Sequence, residues 1–352
     1  MQGELVKIIG LMSGTSLDGL DIVYVEFDKN ELKNFDIIHS ETIKYSSEWE
    51  SKLRNGIHEN TQELVELDVE YAVLLSELIE RFIKKNKISE IDFIASHGHT
   101  ILHKPEEGYT LQIGNGQLIS EKTNQKVICD FRTQDVNFGG QGAPLVPIGD
   151  ELLFSEFDAC LNLGGFANIS YKRNNERIAF DISPVNIVLN HYVQKLGFGF
   201  DDEGKVAAKG KIDQELLNQL NQLSFYKKEH PKSLGLECVQ EQIFPLIDSF
   251  ELSVPTILRT FAEHIAIQIS DSLKGRKDVL VTGGGVFNSF LMGRISFLSS
   301  AKVIIPSEEI INYKEALIFA VLGLLRSDNQ VNCLSSVTGS KRDHSSGVVF
   351  IP

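Results

Sequence analysis

The chain has 352 residues, 42% of them hydrophobic, and a formal net charge of −14. That length suits two domains of ordinary size, and the acidic balance excludes a general nucleic-acid binder, which needs clustered lysine and arginine for phosphate backbones. Cys129, Cys160, Cys238 and Cys333 form no CxxC pair and no charged, apolar leader opens the chain, so a cytoplasmic protein with buried free thiols is expected.

Lys7 to Met12 and Ile22 to Phe27 alternate as two strands joined by the hydroxyl-rich turn "MSGTSLDG". Thr61 to Lys85 carries Leu64, Leu67, Tyr71, Leu75, Leu78 and Phe82 on one stripe and reads as a long amphipathic helix. "EIDFIASHGHT" is a buried strand ending in a polar loop. "YTLQIGNGQLISEKTN" is a strand, a glycine turn and a helix start. "KVICDFRTQDVNFGGQGAPLVP" is a buried strand running into a loop rich in glycine and proline. Near residue 158 the pattern restarts with "ACLNLGGFANISYK", again strand, turn and strand. "ERIAFDIS" is a strand whose end is placed at Asp181. Val254 to Leu273 is an amphipathic helix with Pro255 in its first turn. "DVLVTGGGVFN" is a buried strand breaking into three glycines, and Glu315 to Leu325 is an apolar helix. Its apolar run, Ala316 to Leu325, is too short to span a bilayer.

Alternating strands and helices indicate an α/β protein, in which ligands gather beyond the carboxyl ends of strands. The breaks "MSGTSLDG", "LGGFAN" and "TGGGVFN" stand where strands should end. Converging backbone N–H groups bind phosphate well, and glycine removes the side chains that obstruct the approach. Asp18 and Asp21 would repel phosphate directly, and suit Mg²⁺ held through water or the geometry of the turn. There is no Walker motif and no GxGxxG after the first strand. A two-lobed kinase that grips phosphates with paired hairpins is left standing.

The same stretches carry a resemblance. "GLMSGTSLDGLDI", "SHGHTILH", "TLQIGNGQLI", "DFRTQDVNFGGQGAPLVP", "LNLGGFANI", "FDDEGKVAAKGKI", "PKSLGLE", "VTGGGVFN", "KEALIFAVLG" and "SVTG" follow one another as in the anhydro-N-acetylmuramic acid kinase family of the sugar kinase/Hsp70/actin superfamily. The resemblance implies two actin-like (RNase H-like) lobes, each a mixed sheet flanked by helices, with a cleft between them. Residues 1–157 would form the first lobe and 158–352 the second, with a C-terminal segment able to cross back. It implies ATP, Mg²⁺ and 1,6-anhydro-N-acetylmuramic acid as ligands, opening of the anhydro bridge by water, and phosphorylation at O6. Gly14, Thr15, Ser16, Leu17, Asp18, Gly19, Leu20 and Asp21 would wrap the ATP phosphates, with Asp18 near Mg²⁺ through water. Gly164, Gly165 and Asn168 would form the second phosphate hairpin, and Gly283, Gly284, Gly285 and Asn288 would border the adenosine. His97, Arg132 and Glu315 resemble sugar-contacting positions, and Asp181 matches the catalytic base. Neither membrane nor nucleic acid is implied as a partner, and a homodimer is compatible with the resemblance.

The sequence departs from the family beside the site. The family's D-T-G-P-G-N stands here as Asp181, Ile182, Ser183, Pro184, Val185 and Asn186, without its glycines. His99 replaces a usual Gln and is read as a Gln-like donor. Leu234 and Leu236 replace a usual Thr and Arg, which suggests changed contacts around Lys232, Ser233 and Glu237. Three readings stay open: a site rebuilt for the same sugar, a site for a related anhydrosugar, or a catalytically weak sugar or nucleotide binder. His97, His99 and His103 also have a spacing open to zinc, but no cysteine lies near them.

Overall fold

The computed structural model of the chain describes residues 4–14, 17, 19–230 and 232–352. They fall into two compact units, one spanning Met1–Ser155 with Tyr313–Pro352 and the other Glu156–Asn312. The strands of the first unit are β1 (Leu5–Ser13), β2 (Leu20–Asp28), β3 (Phe35–Ile43), β4 (Phe93–Lys104), β5 (Tyr109–Ile113) and β6 (Val127–Cys129). Those of the second are β7 (Ala159–Leu163), β8 (Phe166–Arg173), β9 (Glu176–Pro184), β10 (Asp278–Thr282) and β11 (Lys302–Ile304). A last strand, β12 (Val348–Phe350), returns to the first sheet and pairs antiparallel with β6.

The first sheet has the order β12-β6-β4-β1-β2-β3, with β5 folded back on β4. The second has the order β11-β10-β7-β8-β9. In both, the first three strands form an antiparallel meander, and the next core strand lies parallel to the first. The two units therefore repeat one RNase H-like frame. The sequence hinted at this repeat only through its strand–turn–strand openings.

Burial explains the patterns. β1 and β2 sit in the middle of their sheet and are buried or half-buried at every residue but Leu5, whereas the outer strand β3 alternates. The long helix runs Thr61–Asn86, and its start is closed reciprocally: the Asn60 side chain accepts the Glu63 N–H while Glu63 accepts the Asn60 N–H. Lys87, at φ 54°, ends it. The helix Glu308–Ser327 is apolar all round between Ala316 and Leu325 because it is a core element. A Cβ on Gly10 would strike the Ala316 carbonyl, and one on Gly323 would come within 2.7 Å of the Ala95 Cβ. Among the described residues, no helix is long and apolar enough to cross a membrane.

One boundary differs from expectation. Asp181 is not the last residue of its strand: β9 continues through Ile182, Ser183 and Pro184, pairing with β8 past a bulge at Ala167 and Asn168. Ile182 and Val185 pack into the second unit's core, and Ser183 is fully buried.

Candidate active site

In the first unit, the turn between β1 and β2 opens with the Leu17 N–H donating to the Gly14 carbonyl at 3.2 Å. Thr15, Ser16 and Asp18 lie outside the described residues. Leu17, at φ 62°, and Leu20 send their side chains into the core, so only their backbone is open to a ligand. Gly19 has φ 150°, and a Cβ there would sit 2.5 Å from the Ile43 carbonyl oxygen. Only glycine fits that turn. The Thr42 hydroxyl donates to Asp21 Oδ1 at 2.6 Å, which fixes one end of that carboxylate.

A buried hydroxyl chain backs the turn. Tyr71 and Tyr45 are 2.7 Å apart at their hydroxyls, Tyr45 donates to Ser13 at 2.8 Å, and Ser13 Oγ lies 2.8 Å from His99 Nδ1. Ser13 can accept from both Tyr45 and a protonated Nδ1, or donate on to Nδ1, so the contact fits either tautomer of His99. Burial pushes its ring down to about 4, so it is neutral.

Beside this chain, the Arg132 Nε and Nη2 groups point at His97 Nε2 from 3.0 and 2.9 Å, and Nη1 donates to the Gly142 carbonyl at 2.6 Å. His97 must then offer a lone pair at Nε2. Burial first, and Arg132 next, hold its imidazole well below the usual range. Burial draws the guanidinium down to about 10, against the pull of Glu315, and it stays charged. Glu315 is half-buried, and its carboxylate has no hydrogen bond among the described residues. Burial pushes it up, opposed by Lys314 and Arg132. Its neighbour Lys314 is already committed, 2.9 Å from Asp150 in a buried pair. A polar cavity of about 170 Å³ adjoins His97 and is walled by Thr110, Gln112, Asn115, Asp130 and Thr133. Gln112 Oε1 is buried without a partner.

In the second unit, Asp181 stands opposite the exposed Asn168 across the bulge. Its Oδ2 accepts the Leu234 N–H at 2.8 Å, and its own N–H donates to the Lys232 carbonyl at 3.1 Å. One carboxylate oxygen is anchored, and no hydrogen bond among the described residues engages the other. Burial raises the carboxyl, and the Leu234 N–H opposes the rise. Leu234 thus serves Asp181 through its backbone while its side chain packs inward. That is how an apolar residue stands where a polar one is usual. Gly164 and Gly165 turn β7 into β8, and a Cβ on Gly165 would meet no atom within 4 Å. The Gly165 carbonyl accepts the Val185 N–H at 2.7 Å, which ties the hairpin to the substituted loop. Gly283, at φ 85°, and Gly285 press against Leu163, while Gly284 faces open space. Asn288 caps the helix Ser289–Leu298 by accepting the Leu291 N–H at 3.0 Å. Gly284 and Asn288 help line a cavity of about 450 Å³ with Phe200, Phe287, Asp201 and Asn190.

Comparison with known proteins settles the family. A family model described as anhydro-N-acetylmuramic acid kinase matches residues 6–352. The chain belongs to the anhydro-N-acetylmuramic acid kinase family. The relative from Haemophilus influenzae is 35% identical over 97% of each chain, and that from Mannheimia succiniciproducens is 33% identical over 97% of this chain and 98% of its own. One from Bacillus cereus is 32% identical over 98% of this chain and 99% of its own. All three bear the name anhydro-N-acetylmuramic acid kinase.

Within this family member, the residues singled out from the sequence fall into separate groups. His97 and Arg132 touch, with Glu315 close enough to influence the guanidinium. Asn168 and Asp181 are cross-strand partners, and Gly284 and Asn288 share a cavity. The three histidines of the β4 stretch do not converge: His97 meets Arg132, His99 meets Ser13, and His103 Nδ1 lies 3.1 Å from Thr110 Oγ1. Reading by sequence missed Gln112, Phe200 and Phe287. The i, i+2 polar pair Thr110 and Gln112 on a buried strand was a signal for the first. The two phenylalanines are 65% and 48% exposed, which no periodicity announces.

Proposed function

We propose that the protein is an ATP-dependent kinase of 1,6-anhydro-N-acetylmuramic acid that couples hydrolytic opening of the anhydro bridge to phosphorylation at O6. In this reading the first unit carries the first phosphate hairpin and the sugar-binding groups His97, Arg132 and Glu315. The second carries the second phosphate hairpin, the adenosine loop and Asp181. Water attacks the anomeric carbon and gives its proton to Asp181, the C1–O6 bond breaks, and O6 takes the γ-phosphoryl group from ATP, which leaves as ADP. The observation that carries the reading is the state of Asp181: a half-anchored carboxylate whose burial makes it a stronger base than an exposed one.

Arg132, held by His97 and the Gly142 carbonyl, is preorganised to donate to a sugar oxygen. The exposed faces of Phe200 and Phe287 suit stacking on a purine. Mg²⁺ would come with ATP and shield the phosphate charge. The carboxylate of Asp21, oriented by Thr42, supplies the oxygen chemistry a hard cation takes, directly or through water. The substituted residues after Asp181 face the core and leave its carboxylate free to act, which favours the enzyme over a binder on the same frame. The reading places the protein in the cytoplasm, where ATP is available, and is compatible with a homodimer, which sedimentation would test.

Incubation with ATP, Mg²⁺ and the anhydrosugar, followed by mass spectrometry, tests the reading. The expected product is N-acetylmuramic acid 6-phosphate. Binding of both ligands without a sugar phosphate would leave only a binder.

A further inference from the structure

Behind the loop that holds Arg132, three side chains of the first unit converge away from the groups described above. Asp135 lies on the short helix Thr133–Asn137, and Cys333 and His344 face each other across an isolated antiparallel bridge in the C-terminal segment. They are 0%, 1% and 6% exposed, and their ligand atoms all lie within 4.8 Å of one another.

The hydrogen bonds around them fix what each atom offers. His344 Nδ1 is 3.1 Å from the Arg342 carbonyl oxygen, which can only accept. Nδ1 therefore carries a proton, which leaves Nε2 as the position open to a ligand. Nε2 is buried without a hydrogen-bond partner among the described residues and aims at Asp135 Oδ1 from 3.6 Å. A ring nitrogen and a carboxylate oxygen facing each other in a dry interior call for a positive centre between them, a proton or a metal ion. The Cys333 thiol lies 3.1 Å from the same carboxylate oxygen. Outer groups are already in place: Thr338 donates to Oδ1 at 2.7 Å, and the Gly142 N–H donates to Oδ2 at 2.7 Å. A histidine whose second nitrogen donates to a backbone carbonyl, beside a carboxylate that is itself hydrogen-bonded, is the usual outer shell of a metal ligand.

We propose that Asp135, Cys333 and His344 bind a structural divalent cation of the zinc class. Sulfur, imidazole nitrogen and carboxylate oxygen are the donors such an ion takes. One thiolate and one carboxylate neutralise its charge, so the buried cluster carries none. Binding breaks the S–H···O contact, forms the metal–sulfur bond and releases the Cys333 proton to solvent. The same cluster explains what the ion would do. Asp135 holds the Gly142 N–H, and the Gly142 carbonyl holds Arg132. A cation there ties the C-terminal segment to the loop that orients the guanidinium.

The test uses the full-length chain stripped of metal, with Co²⁺ alone as probe and no nucleotide present. One Co²⁺ per chain should bind with a thiolate-to-cobalt charge-transfer band, a released proton and a raised unfolding temperature, and Zn²⁺ should displace it. Cys333→Ser should abolish the band, while Cys129→Ser should keep it. Thr338→Val, which removes only an outer hydrogen bond, should weaken binding about 10–100-fold. A folded wild-type chain that shows no charge-transfer band, or a band undiminished in Cys333→Ser, overturns the proposal. Should Cys333→Ser fail to fold, the Thr338→Val affinity and the proton release decide it: unchanged affinity with no proton released refutes the site.

Discussion

The two glycine hairpins stand at the same place in two copies of one sheet, yet their glycines are there for different reasons. In the first, Gly19 is demanded by the fold, because its φ of 150° and the Ile43 carbonyl leave no room for a side chain. In the second, nothing in the unit occupies the space a Gly165 side chain would fill. A glycine that packing requires says little about ligands. A glycine that packing does not require leaves its backbone open to close approach, which the proposed second phosphate hairpin needs.

The largest effect belongs to Asp181. Asp181→Asn should lower kcat by about 10²–10⁴-fold while calorimetry still reports ATP binding, since the hairpins are untouched. In the parent, kcat/KM should fall as pH drops through the Asp181 pKa, with the limb displaced upward from that of an exposed aspartate because burial raises it. Next, Gly19→Ala should cost about 1–3 kcal/mol of stability in urea unfolding. Gly165→Ala should change stability by less than about 0.5 kcal/mol yet raise the KM for ATP. Equal stability losses in the two variants would erase the distinction. Asn288→Ala should cost about 1 kcal/mol as a lost helix cap, in addition to any effect on nucleotide affinity.

The smallest effect concerns Glu315. Its folded pKa is raised, so its favourable contribution is complete below the unfolded carboxyl value and is lost as pH rises through the folded one. Glu315→Gln should therefore be slightly more stable than the parent at neutral pH, the gap closing in acid, while sugar affinity falls. A variant less stable at neutral pH would show that the ionised form is better compensated than its surroundings suggest.

Much of this was legible in the sequence because its signals are local. The stripe from Leu64 to Phe82 and the glycine breaks each encode structure over a few residues. The strands β3, β11 and β12 were not legible. They are edge or short elements with weak local patterns, and the pairing of β12 also lies far away in sequence, Val348 with Cys129. The placement of Asp181 failed for a related reason: whether β9 ends or continues depends on Ala167 and Phe166 across the sheet. The hydrogen bond of His99 goes to Ser13, 86 residues away, which no local pattern announces. The cluster of Asp135, Cys333 and His344 was invisible in the same way. Asp135 Oδ1 and Cys333 Sγ are 198 residues apart in the chain and 3.1 Å apart in space.

The central claim is that one reaction joins hydrolysis of the bridge to phosphoryl transfer. It is tested most directly by turnover in ¹⁸O-labelled water, with the label located in the product by fragmentation mass spectrometry. The account predicts label at the anomeric hydroxyl and phosphate on an unlabelled O6. Phosphate on a sugar whose bridge is intact, or label in the phosphate instead of at the anomeric carbon, would contradict it.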